Sequence, residues 1–181
     1  MVKAGLDYFL DVPGHLYETE GRLLQQLAEG KRVLDIGTHH GRAAAAMAAT
    51  AREVWTIDWG KGDSMIGAPD RTTKEKSLDG TGIVIVEADW VHWFQSRFDP
   101  DDWDMIFYDA AHRGPEPYEK DFLALVEDFP RVIALHDYKP KLEEYGPAVA
   151  AMDDFAKRTG RTMCGPVAGS SIVWFEATSD S

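Results

Sequence analysis

The sequence predicts a doubly wound α/β fold: a mostly parallel sheet of seven strands, finished by an antiparallel hairpin and preceded by an N-terminal helix. Three observations carry this expectation. Short apolar runs recur at 32–36, 53–57, 83–86, 105–108, 132–135 and 172–175, and runs of this length without alternation fit strands buried on both faces. Helical patterns separate most of them. Residues 163–175 instead hold two strand-like pieces around Ala168-Gly169-Ser170 with no helix between them, which reads as a hairpin at one sheet edge.

The elements follow in order. Leu16, Leu23, Leu24 and Leu27 recur at helical spacing, and the helix ends at Gly30. Helical patterns then follow the first strand at 42–50, rich in alanine, the third at 90–97, the fourth at 118–128 and the fifth at 148–158. Residues 59–82 are the least regular stretch, and a connection of that length in a small domain is usually functional or mobile. A short helix near 72–78 fits within it.

Composition narrows the classes of function. The chain has 181 residues, 44% hydrophobic and 28% charged, the profile of a globular domain. Lys and Arg number 19 against 31 Asp and Glu, a net charge of −12. Such a surface repels phosphate backbones and anionic lipid, so neither nucleic acid nor a membrane is expected as partner. The longest purely apolar run, 43–49, is far short of the ~20 residues that span a bilayer. The first residues lack the apolar stretch of a secretory signal. A single cysteine, Cys164, supports neither an internal disulfide nor a multi-thiolate metal site. The expectation is one cytoplasmic domain over 1–181, with a homo-oligomer left open.

In open α/β sheets, ligands bind beyond the carboxyl ends of the strands. The first strand leaves through Asp35-Ile-Gly37-Thr38-His39-His40-Gly41, where Gly37 permits a tight turn and Gly41 lets the next helix start close to the sheet. The second strand ends at Asp58, about 20 residues beyond the turn, where an acid accepts hydrogen bonds from ribose hydroxyls. The third leads to Asp89-Trp90. Asp89 suits a helix cap and equally suits an adenine amino group, with Trp90 covering the ring. A pyrophosphate needs glycine where this turn carries His39. S-adenosylmethionine carries an adenosine without phosphate and escapes that constraint.

With the turn 33–41, Asp58 and Asp89, the chain resembles a class I S-adenosylmethionine-dependent methyltransferase with a Rossmann-like core. The resembling branch is the small bacterial group of antibiotic-pathway O-methyltransferases and cephalosporin-hydroxylase-like proteins, and the likeness runs over 32–176. It implies that Gly37 and Gly41, with Thr38 and His39 in the same turn, border the methionine portion of the cofactor. Asp58 would bind the ribose, Asp89 and Trp90 the adenine, and Trp59 has a claim to the same pocket.

The fourth strand ends as Asp109-Ala110-Ala111-His112 and the fifth as His136-Asp137-Tyr138. Neighbouring parallel strands lie about 5 Å apart, so Asp109, His136 and Asp137 are expected to converge. Two carboxylates suit Mg²⁺, and an imidazole widens the choice to Mn²⁺, Fe²⁺ or Zn²⁺. In the resembling metal-dependent enzymes, acids at these strand ends hold a cation that binds a substrate's vicinal hydroxyls. Their usual second acid after the fourth strand is Ala111 here, and His136 stands where several relatives carry an acid. His112 is the candidate replacement base, its ordinary pKa of about 6.5 suiting proton abstraction; Asp109 is a candidate both as metal ligand and as catalytic residue. Simple capping roles remain open for His112 and Asp109. Trp55, Trp93, Trp103 and Trp174 read as packing, the basic stretches 71–76 and 139–141 as solvated charge, and Cys164 as a small core residue.

The leading expectation is therefore an S-adenosylmethionine-dependent O-methyltransferase acting on a hydroxylated small molecule, with a divalent metal as possible aid. Loss of the acid at Ala111 keeps open a cofactor-binding protein without methyl transfer. A nicotinamide-dependent oxidoreductase is a third reading, disfavoured by His39. Residues 1–31 and 59–82 are the expected lids over a core at 32–176, with 177–181 a tail.

Overall fold

The computed structural model describes residues 5–58, 71–110 and 118–177. A helix α1 (Glu18–Ala28) leads into β1 (Arg32–Ile36), α2 (Arg42–Ala48), β2 (Glu53–Asp58), α3 (Arg71–Ser77), β3 (Val84–Glu87) and α4 (Trp90–Arg97). Then come β4 (Met105–Tyr108), α5 (Tyr118–Leu125), β5 (Val132–Leu135), α6 (Gly146–Thr159), β6 (Met163–Cys164) and β7 (Val173–Phe175). The strands form one seven-stranded sheet in the order β3-β2-β1-β4-β5-β7-β6. β1 pairs in parallel with both β2 and β4, so the chain's direction of travel across the sheet reverses beside β1. That reversal opens a crevice at the carboxyl ends of β1 and β4.

Alternation along the strands builds two cores. Val33, Met105 and Phe107 pack with Leu24, Ala44 and Met47 under α1 and α2. Leu34, Ile106 and Tyr108 face the other way and pack with Phe94, Phe122 and Phe155 of α4, α5 and α6. A sheet covered on both sides explains why the strands read as unbroken apolar runs. Ala43 to Ala46 are all buried, and their small side chains bring α2 close to the sheet. Phe9, Val12 and Leu16 join the same core, so the segment before β1 is packed down onto the sheet side.

The expected hairpin is present, with Met163 opposite Phe175. β7 lies antiparallel to β5 as well, Leu135 opposite Val173, so the hairpin is inserted with its second strand innermost. The connection at 165–172 returns to the carboxyl end of β5, where the Tyr138 N–H donates to the Ser171 carbonyl at 2.8 Å. α5 is shorter than the apolar pattern suggested and α6 starts earlier, at Gly146 with a proline in its first turn. Cys164 is half-buried on the edge strand rather than in the core. Among the described residues no helix is long and apolar enough to cross a membrane.

Candidate active site

The turn after β1 is held against the end of β4. Gly37 has φ +102°, and a Cβ placed there would lie 2.4 Å from the Asp109 carbonyl oxygen. Glycine is required on both counts. His39 follows in the left-handed region at φ 45°, and its N–H donates to Asp58 Oδ2 at 3.0 Å. The turn and the acid at the end of β2 are thus joined directly. Lys74, on α3 and almost fully buried, forms an ion pair with the same Asp58 oxygen. The basic stretch 71–76 reads as solvated charge in the sequence, whereas Lys74 is buried, drawn inward by Asp58.

Beneath the turn runs a buried polar chain. Thr38 Oγ1 lies 2.6 Å from Thr56 Oγ1, and Thr56 donates to Asp35 Oδ2 at 2.6 Å. The Thr38 hydroxyl therefore faces inward, away from any ligand in the crevice. Asp35 is fully buried. Burial, reinforced by the charges of Asp109 and Asp58, raises its pKa to about 8 in spite of the Thr56 hydrogen bond. His39 packs against His15 and edge-on against His40, with ring centroids 5.8 and 4.5 Å away. Burial and these neighbours lower its pKa, which keeps the ring neutral. Asp89 caps α4, accepting the His92 N–H at 2.9 Å. Trp90 packs edge-on against Tyr108 and Phe122, half-buried at the top of the second core. Both stand at the carboxyl end of β3, as expected.

Asp109, His136 and Asp137 do converge. Each offers a ligand atom, and these atoms all lie within 4.8 Å of one another. The Asp109 N–H donates to Ile36 and the His136 N–H to Tyr108, continuing the parallel ladder past the strand ends. Asp137 then adopts φ 65°, a strained conformation for a side-chain-bearing residue. Nδ1 of His136 lies 3.2 Å from Asp109 Oδ1 and 3.3 Å from Asp137 Oδ1. Burial alone would lower the His136 pKa, but the charge and hydrogen bond of Asp109, with Glu20 and Asp137, raise it well above the usual value. Lys139 forms an ion pair with Asp137, and its ammonium lies 4.5 Å from the Tyr145 ring centroid. Lys139 thus brings a positive charge among the carboxylates. Nitrogen and oxygen donors in this number fit Mn²⁺, Fe²⁺ or Zn²⁺ better than an all-oxygen cation.

Glu20 of α1, which the sequence reading passed over, sits behind this cluster, its Oε2 3.3 Å from His136 Nε2. A hollow of about 400 Å³ adjoins it, lined by Tyr17, Glu20, Lys139, Gly169, Ser170 and Ser171. Neither Glu20 nor the loop serines carried a local signal, because the pair Glu20–Ser171 spans almost the whole chain. His112 and Trp59 lie outside the described residues, as does Ala111.

No protein-family model matches the chain, and no curated protein sequence matches it. Solved structures do. An O-methyltransferase from Bacillus cereus in complex with SAH superposes with a TM-score of 0.61 at 17% identity, covering 97% of this chain and 92% of that one. TomG, a Streptomyces achromogenes O-methyltransferase of tomaymycin synthesis in complex with SAM, gives 0.63 at 18% identity over 97% and 87%. The chain has the class I methyltransferase fold. That fold also superposes, with a TM-score of 0.60 at 17% identity over 99% and 100%, on a precorrin-8w decarboxylase from Methanobacterium thermoautotrophicum. Within this methyltransferase fold, the turn at Gly37–Gly41 touches Asp58 through the His39 N–H and Asp109 through Gly37, and Asp109 meets His136 and Asp137. A site's chemistry, rather than its fold, decides the reaction.

Proposed function

We propose that this protein is an S-adenosylmethionine-dependent methyltransferase that methylates a hydroxyl of a small molecule, with help from a divalent cation. The observation that carries the reading is the meeting of Asp109, His136 and Asp137 beside the glycine turn that Asp58 closes. The bound SAH and SAM of the two O-methyltransferases named above support the choice of cofactor. The net charge of −12 supports a small acceptor over a nucleic acid, and the composition fits a cytoplasmic protein.

The cofactor supplies an electrophilic methyl group on a sulfonium centre. In this reading Asp58 accepts hydrogen bonds from the ribose, releasing part of its hold on Lys74. Gly37, His39 and Gly41 shape the wall for the methionine portion, with Thr38 fixing the turn from beneath, while Asp89, Trp90 and Trp59 border the adenine. Asp109, His136 and Asp137 would hold Mn²⁺ or a similar ion, whose charge lowers the pKa of a coordinated hydroxyl. His112, beside them in sequence, takes the acceptor's proton in place of the acid missing at Ala111. Orientation of the oxygen in line with the methyl group supplies much of the remaining rate.

The test is transfer of labelled methyl from S-adenosylmethionine to a panel of catechols, phenols and hydroxy acids, with Mn²⁺ and with a chelator. Product formed with Mn²⁺ and reduced by the chelator supports the full reading. Demonstrable cofactor binding without transfer to any acceptor would contradict it. That outcome favours the second reading, a cofactor-binding protein without methyl transfer, which the Lys139–Asp137 ion pair and Ala111 support.

A further inference from the structure

Glu20 is fully buried, although it stands on the first turn of α1. A glutamate at the third helical position ordinarily reaches back to the N–H of the residue before the helix, and Oε2 does accept the Tyr17 N–H at 3.0 Å. That capping role works at the surface and calls for no burial. Here Oε1 also accepts both the N–H and the hydroxyl of Ser171, at 2.7 and 2.9 Å. A buried carboxylate is costly unless it is paired and hydrogen-bonded, and beyond these bonds its Oε2 stands 3.3 Å from Nε2 of His136. The opposite nitrogen of that ring, Nδ1, faces Asp109 and Asp137. Histidines that ligate metals are commonly oriented by a carboxylate behind their second nitrogen.

We propose that Glu20 is the positioning residue of the Asp109–His136–Asp137 centre: anchored by Ser171, it holds a proton on Nε2 and turns Nδ1 toward the two carboxylates. The inference rests on the metal-assisted reading above. It also couples the centre to the N-terminal helix, since α1 must be docked for the ring to be held.

The experiment titrates Mn²⁺ into the full chain, wild type and Glu20→Gln, following free Mn²⁺ by electron paramagnetic resonance. Thermal unfolding and S-adenosylmethionine affinity are measured on the same samples. The glutamine keeps the shape and an oxygen for Ser171 but loses the charge facing Nε2. The expected result is Mn²⁺ affinity weakened about 10–100-fold, with S-adenosylmethionine affinity unchanged; a merely structural role would lower both or neither. Wild-type Mn²⁺ affinity in folded E20Q overturns the role of Glu20 and leaves the metal reading standing. A wild type that binds no Mn²⁺ overturns the metal reading and this inference with it. If E20Q fails to fold, Glu20→Asp, which keeps the charge but draws it back from the ring, replaces it, and wild-type Mn²⁺ affinity there overturns the proposal.

Discussion

Asp35 illustrates how one side chain's surroundings set its charge. It is fully buried at the end of β1, with one oxygen bonded by Thr56. Its pKa rises from an ordinary 3.8 to about 8 in the native state. The native protein therefore keeps a proton that the unfolded chain releases once the pH exceeds about 4, so this residue's contribution to stability falls as pH rises from 4 to 8. Asp35→Asn cannot titrate, and its amide oxygen still accepts from Thr56. Denaturant unfolding between pH 4 and 8 is expected to show a flatter pH dependence in D35N, with a gain on the order of 1–4 kcal/mol at pH 7. Parallel curves for the two proteins would show Asp35 ionised in the folded state. Glu20 carries the opposite sign: its depressed pKa contributes stability above about 4.5 that is lost as the pH falls toward 2.

At the scale of elements, the decisive junction is the turn between β1 and α2. It was legible in the sequence because two glycines spaced four apart leave a strand for a helix, and glycine adopts the positive φ of such turns at least cost. Gly37 combines φ +102° with backbone contact to Asp109. Gly37→Ala is expected to cost about 2–4 kcal/mol and to push β4's end, with Asp109, away from the turn. Denaturant unfolding checks the cost; a G37A protein of wild-type stability would show that the turn relaxes freely. The convergence of β4 and β5 was legible too, since Asp109 and His136-Asp137 follow apolar runs at matching ends of parallel strands. Lys74, Lys139 and Glu20 were not. A lysine among polar neighbours reads as solvated, and only tertiary packing reveals that Asp58 and Asp137 draw two of them inward. Glu20 meets Ser171 through contacts that no local pattern encodes.

Over the whole molecule, an acidic chain builds a sheet covered on both faces and brings Asp58, Asp109, His136 and Asp137 to the carboxyl ends of its parallel strands. β1 lies between β2 and β4, which places the glycine turn, Asp58 and Asp109 around a single crevice; the hairpin and α1 close the far side through Ser171 and Glu20. The order of strands and helices followed from periodicity alone, whereas the acceptor's identity belongs to the lining loops, where sequence pattern carries least information. The central claim is that this crevice takes S-adenosylmethionine. Isothermal titration of the purified chain with that cofactor, beside Asp58→Ala, tests it most directly. Micromolar binding to the wild type is expected, with a loss of about 10–100-fold in D58A, the worth of hydrogen bonds to a charged group. A folded wild type that gives no heat of binding, or a D58A protein that binds as well, would contradict it.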